Sequence, residues 1–222
     1  LVNQGGREIM HYISQIVIDP KNASTLAAVR NPYLFHGAVE NAVNVPGLKK
    51  SGRTLWRRDG DRILIVSETK PDLSHMETQF HGIGMTKEYL LPENVKEGDR
   101  FFFRLLANPC RTCNITDKKT GNLKRIRAAA RTDASQMSWL MDKAEHNGFV
   151  VKNHEVILVR SFWESLIRHH DNPPVQFHVA QYEGYLTVTD ADLFRKALYK
   201  GLGKEKAFGC GLLSVIRGES HV

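Results

Sequence analysis

The stretch LTVTDADLFRKALYKGLGKEKAFGCGLLSV, residues 186–215, predicts a strand, a helix and a second strand in close succession. Asp190 is a typical N-cap residue, so a helix is predicted from the next residue, and glycine at position 201 is typical of a helix end. The apolar residues after Gly211 predict the last strand of the chain. Four glycines and two lysines lie between this helix and this strand, which is an unusual composition for a short connection.

The rest of the second half predicts a helix at 132–149, with Asp133 as its cap, and a strand at 154–162. A hairpin is predicted over 175–190 with its turn at Glu183-Gly184. The order before the closing segment is therefore helix, strand, strand.

The first half predicts a similar order. A strand is predicted at 11–19, followed by a helix over 31–43 that begins with Asn31 and a proline. A hairpin is predicted over 54–68 with its turn at Asp59-Gly60-Asp61, and a further strand at 99–109. The segment between this hairpin and this strand is long enough for a second helix. Two halves of similar order predict an α+β fold of two tandem ferredoxin-like domains, each an antiparallel sheet with helices on one face.

Four segments are expected along the chain. Residues 1–9 are expected to be a leader or a cloning remnant, because Met10 is a plausible start. Residues 10–113 are expected to form the N-terminal domain, 114–131 a basic linker or hairpin, and 132–222 the C-terminal domain with the glycine-rich loop.

The composition favours an anionic partner. The chain of 222 residues carries 31 Lys and Arg against 24 Asp and Glu, a formal charge of +7, and a basic balance of this kind suits nucleic acid. No apolar run has the length of a transmembrane helix, and the start lacks the apolar core of a signal peptide. Three cysteines, an odd number, argue against a disulfide framework and predict a reducing, cytoplasmic environment.

Basic residues are concentrated between the two predicted domains, where a solvated loop is the alternative to a phosphate-binding surface. Together with residues of the second half, they give the candidate RNA-binding set: Lys118, Lys119, Lys124, Arg125, Arg127, Arg131, Arg160, Gly201, Gly203, Lys204, Lys206, Gly209 and Gly211.

The glycine-rich loop does not match a nucleotide-binding motif. Lys206 stands where the third glycine of a dinucleotide fingerprint belongs, and here a helix precedes and a strand follows, which is the reverse of that motif. One interpretation is a helix C-cap followed by a flexible turn. The other is a loop that an RNA backbone approaches closely, with exposed amides and with Lys204 and Lys206 offered to phosphates.

Tyr33 and His36 lie three residues apart on the predicted helix over 31–43, so they project from one face. Histidine titrates near neutral pH, and a neighbouring tyrosine can share acid–base work with it. The pair is therefore a candidate catalytic site, and an amphipathic helix with packed aromatic rings is the alternative.

The Cys110-Arg-Thr-Cys113 segment has the spacing of half a zinc site, but four ligands are needed and no second half follows at a suitable spacing. No metal site and no cofactor are predicted.

The chain resembles the CasE family of Cascade-type CRISPR RNA-processing endoribonucleases. The resemblance is carried by NPYLFHGAVENAV, RTLWRRDGDRILIVSE, FRLLANP, SWLMDKAEHNGF and, most specifically, LTVTDADLFRKALYKGLGKEKAFGCGLLSV. It spans nearly all of residues 10–217.

The resemblance implies cleavage of the CRISPR repeat RNA beside its stem-loop, without a metal ion. It implies attack by the RNA 2′-OH, a 2′,3′-cyclic phosphate product, and a protein that stays bound to its product as a subunit of the Cascade surveillance complex. The family's catalytic tyrosine and histidine match Tyr33 and His36, and its glycine loop matches residues 201–211. The basic residues over 114–131 match no family motif.

Two other functions stay open at this point. A non-catalytic RNA-binding module of the same fold would use Tyr33 and His36 only to stack or to hydrogen-bond bases. A zinc-stabilised adaptor would use Cys110 and Cys113.

Overall fold

The computed structural model describes residues 10–47, 52–89, 95–117, 120–167 and 173–217. A short 3₁₀ helix, Lys206–Phe208, precedes the last strand. The other elements are, in chain order, β1 (Tyr12–Val17), α1 (Ala23–Arg30), α2 (Tyr33–Val43), β2 (Leu55–Asp59), β3 (Arg62–Ser67), α3 (Ser74–Phe80), β4 (Ile83–Glu88), β5 (Arg100–Ala107), β6 (Cys110–Thr116), β7 (Leu123–Ala129), α4 (Asp133–Glu145), β8 (Phe149–Leu166), β9 (Val175–Val188), α5 (Ala191–Lys200) and β10 (Leu213–Arg217).

The first four strands form an antiparallel sheet in the order β2-β3-β1-β4. Alternate side chains of a strand point to opposite faces, and here the apolar set points toward the helices. Ile16 and Ile63 are fully buried, together with Phe35 of α2 and Phe80 of α3. This arrangement is a ferredoxin-like domain with its helices on one face.

The remaining long strands form a second antiparallel sheet in the order β10-β5-β9-β8. Phe103 and Tyr182 of this sheet pack with Trp139 of α4 and Phe194 of α5 in one buried cluster. The strand order repeats that of the first sheet, so the prediction of two tandem ferredoxin-like domains is confirmed. The hairpin of β6 and β7 is inserted between β5 and α4.

The division between the two sheets differs from the predicted boundary at residue 113. Strand β5 pairs with β9 and β10, so residues 100–107 belong to the second sheet. The strand that completes the first sheet is β4, which was not predicted, and α1 was not predicted either. Ile83 and Met85 of β4 are 79% and 68% exposed, so this edge strand has no buried apolar face that would give it a sequence signal.

Residues 175–188 form one continuous strand, and the predicted turn at Glu183-Gly184 is wrong. Gly184 lies opposite an irregularity of β8 between Val151 and Val156, and a Cβ at this position would collide with the carbonyl oxygen of Glu155. A glycine inside a strand can mark the close approach of another backbone as well as a turn.

The helix caps agree with the sequence at α5 and differ at α4. The carboxylate of Asp190 accepts hydrogen bonds from the backbone N–H groups of Asp192 and Leu193. Thr132, not the predicted Asp133, caps α4 and forms a capping box with Ser135. Among the described residues, no helix combines the length and the apolar composition that a membrane crossing requires.

Candidate active site

Tyr33 and His36 lie on the first turns of α2, and the centroids of their rings are 6.1 Å apart. Between them Phe35 is 1% exposed and packs against Trp56 and Phe80, so it fixes the orientation of the helix. The two candidate catalytic side chains are half-buried and share one side of α2, as their spacing predicts.

The glycine-rich loop, residues 201–211, brings a third ring to this pair. The ring of Phe208 lies 5.5 Å from that of His36 and 6.5 Å from that of Tyr33, centroid to centroid. The indole N–H of Trp56 donates to the backbone oxygen of Ala207 at 3.0 Å. A loop from the C-terminal domain is therefore held against the helix of the N-terminal domain that carries the candidate catalytic residues.

Asn31 strengthens the same junction. Its side-chain amide donates to the backbone oxygen of Ile167 at 2.9 Å, and its side-chain oxygen accepts from the Ile167 N–H at 3.2 Å. The structure thus places Asn31 just before α2 as a bridge to the end of β8. Neither this role nor that of Phe208 was predicted, because each depends on contacts between distant parts of the chain.

The structure gives the glycines of the loop a packing role, apart from the predicted approach of RNA. Gly201 and Gly211 are buried with positive φ angles of 67° and 89°. A Cβ on Gly201 would lie 2.7 Å from the oxygen of Gly211, and one on Gly211 would lie 2.6 Å from the oxygen of Leu202. The two loop segments therefore pack backbone to backbone, which only glycine allows.

The other two glycines pack against tryptophan rings. A Cβ on Gly203 would lie 2.9 Å from Trp139, and one on buried Gly209 would lie 3.1 Å from Trp56. The loop is thus fitted to one tryptophan in each domain. Contact between these glycines and RNA stays a prediction.

The two lysines of the loop differ in their exposure. Lys204 is exposed, and Lys206 is half-buried. Burial, together with the positive charges of Arg53 and Lys204, lowers the pKa of Lys206 to about 8. A nearby phosphate would favour the protonated form of this amine.

The predicted basic segment forms the hairpin of β6 and β7. Lys124, Arg125 and Arg127 are exposed on β7, and Arg125 and Arg127 share one face because they are two residues apart. Arg131 follows the hairpin with its guanidinium 5.5 Å from the ring centroid of Trp163. Lys118 and Lys119 lie outside the described residues.

A cleft of about 660 Å³ lies between this hairpin, α4 and the start of the glycine-rich loop. Its charged lining is mostly positive: Arg111, Arg127, Lys143, Lys204 and a single carboxylate from Asp142. The cleft connects the hairpin to the loop, so the candidate RNA-binding residues Arg127 and Lys204 share one surface.

Arg160 lies on β8 at the other side of the loop. Its Nε donates to the side-chain oxygen of Gln181 at 2.8 Å, and its guanidinium is 5.2 Å from the ring centroid of Phe162. The structure therefore brings Arg160 to the junction of the domains and not to the basic hairpin.

Among the described residues, the cysteines are not grouped with other side chains that could ligate a metal ion. Cys110 and Cys113 are three residues apart on β6, so their side chains point to opposite faces. Within the described part of the chain, no group of three or more histidines, cysteines and carboxylates could hold a metal ion. Burial, with Glu205 and Glu164 adding to it, raises the pKa of the Cys210 thiol, which is fully buried.

The sequence profile of the family described as CRISPR associated protein matches residues 11–217. The CRISPR-associated endoribonuclease Cse3 of Thermus thermophilus is 28% identical over 218 residues, which cover 92% of this chain and 99% of the relative. The CRISPR system Cascade subunit CasE of Escherichia coli is 31% identical over 160 residues, 71% of this chain and 75% of the relative. A structure of CRISPR endoribonuclease Cse3 bound to 19 nt RNA aligns with a TM-score of 0.76 at 26% identity, covering 93% of this chain and 99% of that one.

Proposed function

The chain belongs to the CRISPR associated protein family and, within it, to the CasE/Cse3 endoribonucleases, and on that premise we propose how it works. It is an endoribonuclease that cleaves CRISPR RNA, and its partners are this RNA and the Cascade complex. The observation that supports the site is the placement of Tyr33 and His36 on one side of α2, half-exposed and in contact with Phe208 of the glycine-rich loop. Catalysis is assigned to this pair.

RNA carries its own nucleophile in the 2′-OH beside the scissile phosphate. In the proposed mechanism the 2′-oxygen attacks the phosphorus while its proton is removed, and the bond to the 5′-oxygen breaks as that oxygen takes up a proton. The products are a 2′,3′-cyclic phosphate and a 5′-OH, with no net change of protons. His36 serves as the general base or as the general acid, and Tyr33 positions the phosphate or donates a hydrogen bond to it.

Cations supply the binding energy and hold the scissile phosphate in place. Arg111 and Arg127 of the β6–β7 hairpin and Lys204 of the loop line one cleft, where they contact phosphates of the repeat stem. Most of these contacts do not involve the bond that is cut. The product stem therefore keeps them, which supports a protein that stays bound to its product inside Cascade. We place this activity in the cytoplasm, since all three cysteines are free thiols.

The catalytic assignment is tested with His36→Ala, and His75→Ala, an exposed histidine of α3, is the matched control. If His36 transfers a proton, single-turnover cleavage of a CRISPR-repeat hairpin falls by about 10²–10⁴-fold. Affinity for the hairpin changes far less, because phosphates and stem shape dominate binding. A normal rate in His36→Ala contradicts the assignment, and an equal fall of rate and affinity favours a non-catalytic RNA-binding module.

Metal independence and the nucleophile are tested with the same hairpin. Cleavage is expected to continue in excess EDTA and to stop when the scissile nucleotide carries a 2′-deoxy sugar. Loss of cleavage in EDTA by folded protein, or cutting of the 2′-deoxy RNA, rejects this mechanism. Zinc bound stoichiometrically to the purified protein would instead support the adaptor function of Cys110 and Cys113.

A further inference from the structure

A cavity of about 230 Å³ lies at the junction of the two domains, beside the candidate catalytic residues. Its walls combine apolar rings and charges, chiefly Trp56, Arg58, Arg160, Phe162, Glu164 and Phe208. Phe208 contributes to this wall and also contacts the rings of His36 and Tyr33. Phe208 therefore borders both the cavity and the candidate catalytic pair.

The charged groups of this cavity are close enough to influence one another. Burial lowers the pKa of Arg58, and the charge of Arg160 lowers it further. Burial raises the pKa of Glu164, and the charges of Arg58 and Arg160 oppose that shift. The cavity thus gathers two cations and one anion in a partly desolvated space.

None of these charges is neutralised by a direct ion pair within the described residues. Arg160 donates through Nε to Gln181, and Arg58 donates to the backbone oxygen of Gly60 at 2.9 Å. Glu164 accepts only a long hydrogen bond of 3.3 Å, from the backbone N–H of Ser165. Arginine has further N–H donors and a carboxylate has further lone pairs, so this arrangement suits a ligand that offers both acceptors and donors.

We propose that this cavity binds the base of one unpaired RNA nucleotide next to the scissile phosphate, and that Glu164, Arg58 and Arg160 read its edge. The proposal rests on the endoribonuclease function described above. A phosphate alone offers no hydrogen-bond donor to Glu164 and would gain nothing from the rings of Trp56, Phe162 and Phe208, whereas a base packs on such rings. The volume lies below the roughly 300–1,000 Å³ of sites for larger ligands, which suits a single base.

Guanine is the base expected in this cavity. Its N1 and N2 groups present adjacent N–H donors that a carboxylate accepts together, and its O6 and N7 atoms accept from a guanidinium. The position of Glu164 and the two arginines around one cavity matches this combination of donors and acceptors. Binding of this nucleotide would fix the strand beside His36 and so contribute to the choice of the cleavage position.

The test uses CRISPR-repeat hairpins that are identical except for one unpaired nucleotide beside the scissile phosphate, varied through all four bases. A 2′-deoxy sugar at the scissile nucleotide blocks cleavage, so that affinity is measured by itself. The wild-type protein is expected to prefer guanine at one of these positions by about 5- to 150-fold. Glu164→Gln is expected to lose most of this preference, and its matched control Glu145→Gln, at an exposed position on α4, is expected to keep it.

The arginines are tested in the same way with Arg58→Gln against the exposed Arg62→Gln. Melting temperatures identify any variant that fails to fold. If Arg58→Gln does not fold, the base preference of Glu164→Gln alone decides the test. Equal affinity of the wild-type protein for all four bases, a preference for a base other than guanine, or an unchanged preference in Glu164→Gln overturns the proposal. So does a uniform gain of affinity in Glu164→Gln, which would indicate a phosphate site. The affinity assay uses hairpins that cannot be cleaved. A failure of the endoribonuclease function would show in a separate assay, in which hairpins with a 2′-OH at the scissile nucleotide remain uncleaved.

Discussion

Removal of the carboxylate of Asp59 is expected to destabilise the whole protein, because this group balances a buried arginine between the two sheets. Arg57 is 3% exposed and donates to Asp59 through Nε and an NH2 nitrogen at 2.8–3.0 Å. Its other hydrogen bonds run to the backbone oxygens of Arg104 in β5 and of Leu212 just before β10, at 3.2 and 3.1 Å. The Arg104 side chain also pairs with Asp59, at 3.4 Å.

The expected loss follows from what remains after the change. Breaking a buried ion pair on one side costs about 3–5 kcal/mol, since the other charge stays buried without its partner. In Asp59→Ala, Arg57 keeps its two carbonyl acceptors, and Arg104 keeps its ion pair with Glu183 at 2.8 Å. We therefore expect the lower end, about 3 kcal/mol, or a fall of roughly 6–12 °C in melting temperature for a chain of this size.

Urea denaturation followed by tryptophan fluorescence measures this loss, because Trp56 and Trp139 are buried in different domains. Asp61→Ala, at an exposed position in the same turn, is the control and should stay within about 0.5 kcal/mol of the wild type. A loss below about 1 kcal/mol in Asp59→Ala would refute the role of Arg57 as a buried charge that depends on this carboxylate.

The same carboxylate predicts a pH dependence. Burial alone would raise the pKa of Asp59, but the hydrogen bonds and charges of Arg57 and Arg104 outweigh it and hold the pKa below its ordinary value. A group with a depressed folded-state pKa stabilises the protein above its unfolded pKa of about 4, and this contribution is lost as the pH falls through the folded pKa. The difference in stability between the wild type and Asp59→Ala is therefore expected to shrink in acid, and a constant difference would contradict the assignment.

Three further predictions concern RNA handling. The logarithm of RNA affinity should fall with the logarithm of salt concentration at a slope of about 0.7–0.9 per phosphate contact. Lys124→Ala, Arg125→Ala and Arg127→Ala together should make this slope shallower. An unchanged slope would mean that the hairpin is solvated and does not contact phosphates. Affinity should also fall as the pH rises through about 8, where Lys206 loses its proton, and Lys206→Arg should remove this dependence. Gly211→Val should lower the melting temperature as well as the cleavage rate, because the new Cβ collides with the backbone oxygen of Leu202. Slower cleavage at an unchanged melting temperature would instead support the predicted contact between this glycine and RNA.

The sequence was sufficient for the fold class because capping and turn residues are local signals. Asp190 caps α5, and the Asp59-Gly60-Asp61 segment turns β2 into β3, as their residue types predict. Strand β4 could not be predicted in the same way. Its exposed side chains lack a buried face, and its place beside β1 depends on pairing with a strand that lies about seventy residues earlier in the chain.

The candidate site could likewise be predicted only where its signal is local in the sequence. The spacing of Tyr33 and His36 gave their common face, because three residues make nearly one helical turn. The glycines were recognised as a special loop, but their reason is packing against Trp56, Trp139 and the loop's own backbone. A glycine signals only that a side chain is excluded at its position, and the sequence does not indicate whether the excluding atoms belong to RNA or to the protein.

Burial of the loop between the two domains leads us to expect that they depend on each other for function. The helix with His36 belongs to the N-terminal domain, whereas Lys206 and Phe208 belong to a loop that leads into β10 of the C-terminal domain. Trp56 donates a hydrogen bond to Ala207 of the loop, and Asn31 donates one to Ile167 at the end of β8. The N-terminal domain therefore makes polar contacts on both sides of the cavity that holds Glu164. Because neither domain by itself contains the proposed proton-transfer group, the loop ring and the Glu164 cavity, we expect cleavage to require the domains in this arrangement.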